Sequence, residues 1–396
     1  MSSAGETTPL LPAHLYVHVP LCRSKCAYCD FYSLPLAGVT EDVSTIAGSL
    51  AAQARAWLAR DVEPQRLKSI YIGGGTPSLL GLELAGLVAL LTTWFPLAPD
   101  AEVTVEANPE SLDPVLARAL ADAGVTRVSL GVQSLDDAIL SFLERPHDAA
   151  TARAAAQAVR EAGLALSLDL ICGIPGQTTQ SWIDTLEGAL VLRPEHVSVY
   201  PLVIEAGTPL SAAVAIGDVP EPDPDVAADM MLLAQHVLAQ AGFARYEVAN
   251  YALPGAESRH NTAYWTGASY LGVGPGAHGM LDATTASAVG FVPARGEDVA
   301  RLRYSVVCDL REGLTPMPRL DIEVLTAAET RREDVMLGLR LARGVPADQA
   351  AVAGAASALE TLRAAGLVEL VDSRWRTTER GWLLGNEVFS AVWAGE

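Results

Sequence analysis

The stretch VPLCRSKCAYCDFYS, residues 19–33, places three of the chain's five cysteines within eight positions. Cys22, Cys26 and Cys29 follow the β-rich run HLYVHVP (14–20) at the spacing C-x3-C-x2-C. Thiolates are soft ligands that suit zinc or iron–sulfur clusters. A structural zinc site closes with four ligands, usually as two separated pairs. The second pair is missing here: Cys172 and Cys308 stand alone far along the chain, and His14 and His18 lie on the preceding strand rather than at ligand spacing. A cubane cluster normally takes four thiolates. Three would hold three irons and leave the fourth open to a ligand. Three incidental buried cysteines are the plainer alternative.

Outward from this cluster, six short β-rich runs recur: 14–20, 69–74, 102–109, 127–134, 166–176 and 196–203. Ala- and Leu-rich segments with helical spacing separate them, among them TARAAAQAVREAGL (151–164) and SWIDTLEGALVL (181–192). Strands alternating with helices imply a parallel sheet with right-handed crossovers. The strands read as near-continuously apolar, as when both faces are covered. Six such units fit a full or partial barrel, an α/β architecture, and no GxGxxG opens a helix after the first strand. The proline-rich GDVPEPDPD (217–225) reads as a linker, followed by a helix over 225–243 and a loop-rich region to about residue 300. Helices around 327–342 and 349–365, then the hairpin-like VELVDSRWRTT, resemble a winged-helix module without a basic recognition helix.

Composition narrows the function classes. The 396 residues carry a formal charge of −20, which disfavours a broad phosphate-neutralising surface and with it nucleic-acid binding. The short mixed runs RLKS (66–69) and RRED (331–334) read as solvated faces. Few cysteines outside one cluster suit a reducing cytosol rather than a secreted disulfide framework. The N-terminus shows no signal-peptide pattern. The apolar window 79–98 contains Glu83 and ends near Pro96, so a core helix is expected there rather than a membrane span. A cytoplasmic protein is expected, with peripheral membrane contact left open.

Polar residues gather at the strand ends, where ligands sit in such folds. YIGGGTPS (71–78) follows the second strand, and glycines there let backbone approach a ligand closely. Glu106 and Asp169 are acids within apolar strands, so each needs a partner or a ligand, a structural salt bridge being the bland choice.

The C-x3-C-x2-C spacing, with Tyr28 before the last cysteine, resembles the signature of the radical S-adenosylmethionine (SAM) superfamily. That resemblance implies a 4Fe–4S cluster on Cys22, Cys26 and Cys29 whose open iron chelates SAM. It also implies reductive cleavage of SAM to a 5′-deoxyadenosyl radical. The segments YIGGGTPS, EANPESL, RVSLGVQS, LERPH and DLICGIPGQT extend the match across nearly the whole chain to oxygen-independent coproporphyrinogen III oxidase and its relatives. By that resemblance Tyr16, Gly74, Gly75, Thr76, Glu106, Gln133, Arg145 and Asp169 contact SAM, with Val203 joining through its backbone. Two departures are visible: Glu144 replaces the glycine of L-G-R-x-H, and Cys172 replaces an aromatic. The implied organisation is a flexible tail (1–13), a radical SAM partial (β/α)6 TIM-like barrel (14–245), a loop-rich region (246–300) and a C-terminal α+β winged-helix-like domain (301–396).

Two features place the chain within that family. The oxidases usually have another cysteine two positions after the third, where this chain has Phe31. HNTAYW (260–265) matches the H-N-x-x-Y-W of the family's heme-chaperone branch, whose members bind heme and deliver it to acceptor hemoproteins rather than decarboxylating a porphyrinogen. Neutral imidazole is a good axial ligand for heme iron, so His260 is the candidate ligand, with His278 second and Cys308 weaker. The alternative is a His–Asn pair making structural hydrogen bonds beneath packed aromatics; His147 reads as structural. The expectation is a non-enzymatic heme chaperone with a second copy of itself as a further partner. The competing readings are the oxidative decarboxylase and an interaction scaffold that keeps only the fold.

Overall fold

The computed structural model describes residues 9–60, 62–291 and 298–395. Strands β1 (His14–Val19), β2 (Leu67–Gly74), β3 (Leu97–Ala107), β4 (Arg127–Gln133), β5 (Ala165–Cys172) and β6 (His196–Pro201) lie side by side in that order, all parallel. Helices such as Leu82–Trp94, Ala149–Glu161 and Thr179–Val191 return the chain between them. The sheet draws three further strands from residues 244–273. β7 (Ala244–Arg245) pairs antiparallel with β8 (Asn250–Ala252), which itself adds antiparallel to β6, and β9 (Leu271–Val273) adds parallel to β1. Among the described residues β9 and β7 form the two open edges, so the barrel is partial. Two strands thus come from beyond residue 245, where the sequence pattern closes the barrel.

The strands alternate rather than running continuously apolar. Val17, Val19, Ile70, Ile72, Val103, Val105, Val128, Leu130, Leu168, Leu170, Val197 and Val199 are buried in the core. Their neighbours Tyr71, Thr104, Glu106, Arg127, Ser129, Ser167, Asp169, His196 and Ser198 turn the other way and line a cavity inside the barrel. Two-residue periodicity thus builds a greasy outer face for the helices and a polar inner face. The helices start on side-chain caps: Asp113 accepts from Leu116 N, Asp148 from Thr151 N, and Thr178 forms a capping box with Ser181.

Residues 1–8 of the expected tail lie outside the described residues. Residues 9–13 are packed, since Leu11 is in the core and its N–H donates to the Glu63 carbonyl. The window 79–98 supplies the packed helix Leu82–Trp94. Among the described residues no helix is long and apolar enough to cross a membrane.

Strands β10 (His278–Asp282), β11 (Val299–Val307) and β12 (Arg319–Thr326) form a second, antiparallel sheet. The C-terminal domain follows: helix Ala327–Gly338, strand β13 (Val345–Pro346), helices Ala347–Val352 and Ala356–Ala364, then the hairpin β14 (Val368–Val371) and β15 (Arg374–Thr377). That is the order of a winged helix. The hairpin turn puts Asp372 and Ser373 both at positive φ, the two-residue turn that suits strand twist. The single helix expected over 349–365 breaks at Gly354, whose φ is +74°.

Run RRED (331–334) is not a solvated face. Glu333 is buried between Arg301 (2.6 Å) and Arg303 (2.6 Å), and Asp334 pairs with Arg301 at 2.7 Å. Likewise Leu67 and Ser69 of RLKS are buried in β2. The domain also seats on the sheet edge. Trp382 Nε1 donates to the Val248 carbonyl (2.7 Å) and Arg340 lies over both Trp265 (4.9 Å) and Phe389 (4.3 Å).

Candidate functional site

One cavity of about 430 Å³ opens at the carboxyl ends of the strands and reaches down into the barrel. Its lining brings together Cys22, Cys26, Cys29, Tyr28, Gly74, Gly75, Thr76, Glu106, Gln133, Arg145, Asp169 and Val203. Of the candidate residues Tyr16 and the three candidate heme ligands His260, His278 and Cys308 are outside that lining. Tyr16 stacks on Tyr71, which does line the cavity, at 6.2 Å between ring centres.

The cysteine loop is held by the first two strands. His18 Nε2 meets the Tyr32 carbonyl at 2.8 Å while its Nδ1 meets the Tyr16 hydroxyl at 2.9 Å. Gly75 N donates to the Val19 carbonyl (2.9 Å) and Thr76 N to the Leu21 carbonyl. The approach leaves no room for side chains: a Cβ on Gly75 would collide with the Leu21 carbonyl, and Gly74 adopts φ +114°. From the other side Leu210 N donates to the Ala27 carbonyl at 2.8 Å.

The two acids sit deep on the inner face. Glu106 accepts from the Tyr71 hydroxyl (2.7 Å) and from Gly74 N (3.0 Å), yet burial pushes its carboxyl up to about 7, with Asp169 adding to the rise. Burial likewise raises Asp169 to about 6, against the opposing hydrogen bonds of Ser198 and Ser129 (3.2 Å). Neither acid makes a salt bridge among the described residues. Gln133 ends β4 at φ +64°, next to a register shift against β5, and this bulge aims it into the cavity.

Arg145 is placed by the end of helix Asp137–Phe142. Glu144 N donates to the Ser141 carbonyl and Arg145 N to the Leu140 carbonyl, a Schellman cap whose left-handed residue is Glu144, at φ +55°. A glycine is the natural occupant of that position, and Glu144 holds the same backbone at a cost. Arg145 then donates to Cys26 Sγ (3.3 Å), Asn108 Oδ1 (2.6 Å) and the Gly131 carbonyl (3.1 Å), with its buried Nε unpartnered. Asn108, not singled out in the sequence, ties this cation to Thr76, whose Oγ1 it reaches at 2.9 Å. Its place at the end of β3, inside EANPE, is the signal that could have found it. The serines at alternate positions of β4, β5 and β6 are a similar signal for the polar shell around Asp169.

The donor set suits a polynuclear cluster. Burial raises the Cys22 and Cys29 thiols, so bare thiolates are disfavoured until a cation arrives. Among the described residues no group of three His, Cys, Asp or Glu closes on the point a single metal ion would fill. A cube of irons reaches wider than one ion. The three thiols ring one cavity beside an unfilled guanidinium donor, which gives such a cluster both ligands and a neighbour. Cys172 is fully buried in the hydrophobic core, its thiol pushed up to about 12 by burial, and takes no part.

HNTAYW forms the helix Arg259–Trp265. His260 is buried, with Nδ1 at 2.8 Å from Ser69 Oγ and Nε2 at 2.9 Å from the Tyr264 hydroxyl; its ring stacks on Tyr71 at 5.1 Å. Burial, aided by His14, lowers it to about 3, so it stays neutral. Glu102 accepts from Ser258 Oγ and Arg259 N at the start of this helix, while Arg127 pairs with the same carboxylate at 3.3 Å. Both imidazole nitrogens are engaged, the arrangement of a structural His. His278, by contrast, is exposed on β10. His147 is buried, 3.5 Å from Glu110.

Two predictions follow from this geometry. Replacing Glu144 by Gly relieves the left-handed strain and raises stability by about 1 kcal/mol, read from the denaturation midpoint. Glu106 titrates higher in the folded chain than unfolded, so its neutral form favours the fold. Stability is then full below about pH 4.5 and falls as pH rises toward about 7. Stability-versus-pH curves of ligand-free wild type and Glu106→Gln should diverge in that window; parallel curves would contradict the assignment.

Comparison with known proteins gives the same picture. A family model for the radical SAM superfamily matches residues 16–189, and one for the HemN C-terminal domain matches residues 325–384. The chain is 39% identical to the heme chaperone HemW of Mycobacterium tuberculosis over 96% of this chain and 94% of that protein. It is 33% identical to the heme chaperone HemW of Bacillus subtilis over 95% of this chain and 98% of that protein. The fold is similar to that of coproporphyrinogen III oxidase (HemN) from Escherichia coli, with TM-score 0.74 and 22% identity over 97% of this chain and 90% of that one. A family with this core implies a 4Fe–4S cluster and SAM. The chain belongs to the HemW family within the radical SAM superfamily.

Proposed function

We propose that the chain is a heme chaperone of the cytoplasm, which binds heme and passes it to acceptor hemoproteins. The observation that carries this reading is identity along nearly the full length to proteins named for that role. Phe31 supports it: the position where the oxidases usually have a further cysteine is an exposed aromatic at the cavity mouth, 62% accessible.

In this reading Cys22, Cys26 and Cys29 hold the 4Fe–4S cluster, which when bound supplies an open iron for SAM and an electron for its cleavage. Gly74, Gly75 and Thr76 offer backbone and hydroxyl to SAM from one side, and Gln133, Arg145 and Val203 from the other. Glu106 and Asp169 accept its polar groups from below. Arg145 serves both partners, since it already reaches Cys26 and leaves a donor free. Tyr28 packs beside the cysteines as apolar cover. Tyr16 acts behind Tyr71, fixing the ring that positions Glu106. Heme is not assigned to His260, because the ring is buried and ligation through Nε2 would displace its hydrogen bond to the Tyr264 hydroxyl. A second copy of the chain is the further partner in this reading.

The test is an anaerobic heme titration of the cluster-reconstituted protein, followed by absorbance, with Cys26→Ala alongside. The expected result is saturation near one heme per chain in the wild type and loss of the cluster's visible absorbance in the variant. A normal cluster in Cys26→Ala would overturn the ligand assignment. A linear, unsaturable rise with heme would overturn the chaperone.

A further inference from the structure

A chain of hydrogen bonds leaves the cavity beneath the two acids and crosses the barrel wall. It starts at Asp169 on β5, where Ser129 Oγ of β4 lies 3.2 Å from both carboxylate oxygens. Ser129 Oγ is 3.0 Å from Ser167 Oγ, on the same strand as Asp169 and the same face. Ser167 Oγ meets His196 Nδ1 of β6 at 2.8 Å, and His196 Nε2 meets the Tyr246 hydroxyl at 2.9 Å. Asp169, Ser129, Ser167 and His196 all line the cavity, whereas Tyr246 does not. Tyr246 stands behind the wall, partly exposed, between β7 and β8. Ser258 N donates to its hydroxyl (3.2 Å) and Ala342 N of the C-terminal domain to its carbonyl (2.9 Å).

We propose that Ser129, Ser167, His196 and Tyr246 form a proton path between Asp169 and solvent, used when ligand fills the cavity mouth. This rests on the SAM-site reading above and adds how that site adjusts its charge. Asp169 accepts hydrogen bonds through both oxygens only as a carboxylate, yet burial favours its neutral form against the pull of Ser198, Ser129 and Arg145. Binding then expels a proton, while the ligand itself closes the way out through the mouth. Every group in the chain takes a proton on one lone pair and gives another up. The Asp169 carboxyl passes its proton to Ser129 Oγ, Ser129 passes its own to Ser167 Oγ, and Ser167 its own to His196 Nδ1. His196 gives the proton on Nε2 to the Tyr246 hydroxyl, which releases its own outward. One proton enters and one leaves at each atom, and no electron moves. Ligand release runs the same steps backward, so the imidazole never has to turn over. Burial, aided by Arg127, lowers His196 to about 3, so the ring relays without trapping the charge. Glu106, Arg145, Tyr71 and Tyr200 also face Asp169, but Glu106 is held by Tyr71 and Gly74 rather than by this chain.

The test uses the full-length, cluster-reconstituted protein, mixed anaerobically with SAM and no reductant at a pH of about 6, the value to which burial raises Asp169. Binding is followed by the cluster's visible absorbance and proton release by a pH indicator in the same cell. In wild type the proton should appear together with the absorbance change, and Asp169→Asn should release fewer protons per SAM bound. In Ser167→Ala and Tyr246→Phe the absorbance change should keep its rate while proton release lags it by about tenfold or more. Tyr264→Phe, which takes the phenol partner from a different buried imidazole, His260, should behave as wild type. Tyr246 lies outside the cavity, so its variant decides should Ser167→Ala fail to bind SAM. A single-file chain fails at any break. Release that keeps pace with binding in Tyr246→Phe, or in a Ser167→Ala protein that binds SAM, would therefore overturn the path and leave the SAM site standing. So would a lag of the same size in Tyr264→Phe, or release in wild type no greater than in Asp169→Asn. If wild type shows no saturable absorbance change with SAM, the SAM-site reading falls and the path with it.

Discussion

The functional end of this molecule depends on one close backbone contact. Residues 74–76, leaving the second strand, lie directly against residues 19–21, leaving the first, with Gly75 N on the Val19 carbonyl and no space for a Cβ. That contact brings the cysteine loop and the glycine turn to one cavity wall. His18 continues it by binding the Tyr32 carbonyl at the far end of the loop, so its Tyr16 and Tyr32 partners fix the loop at both ends. A cluster and SAM bound in this cavity would depend on that seat. A side chain at position 75 would lift the turn and carry Thr76, and through Asn108 also Arg145, away from the thiols.

The HNTAYW helix plays a different part from the one its composition suggests. Its first turn caps on Glu102, which Arg127 neutralises at the cavity floor; its middle presses His260 against Tyr71; its last residue, Trp265, meets Arg340 of the C-terminal domain. Gly267 just beyond accepts from Arg301, which in turn pairs with Glu333 and Asp334. A single short helix therefore joins the barrel interior to the C-terminal domain. The buried charge network around Glu333 explains why that domain is not loosely attached: unpaired, any of these charges would be costly to bury.

Much of the fold and site was legible in the sequence, and the failures share a cause. The six parallel strands and their helices show because each carries its own local period and caps. The SAM-site candidates rest on the family resemblance, and the fold brings all of them but Tyr16 to one cavity. Leu271–Val273 reads as part of a glycine-rich loop, since three residues carry no period, and it becomes a strand only because β1 offers an open edge. RRED looks solvated because its partners Arg301 and Arg303 lie about 30 residues upstream. His260 looks like a ligand because Ser69, 191 positions away, is invisible from the motif. Glu144 was recognisable as a departure from glycine, but its meaning, a left-handed helix cap that still delivers Arg145, needed backbone angles.

Chaperone and decarboxylase share this fold and differ in what the heme-like ligand undergoes, so the decisive measurement follows the ligand. The heme-loaded, cluster-reconstituted protein is mixed anaerobically with a heme-free acceptor hemoprotein, and the acceptor's Soret band is followed at several acceptor concentrations. Coproporphyrinogen III with SAM and a reductant is assayed in parallel for carbon dioxide. A chaperone transfers heme at a rate that rises with acceptor concentration, faster than heme leaves spontaneously, and releases no carbon dioxide. Carbon dioxide release with consumption of SAM, and no acceptor-dependent transfer, would contradict the account.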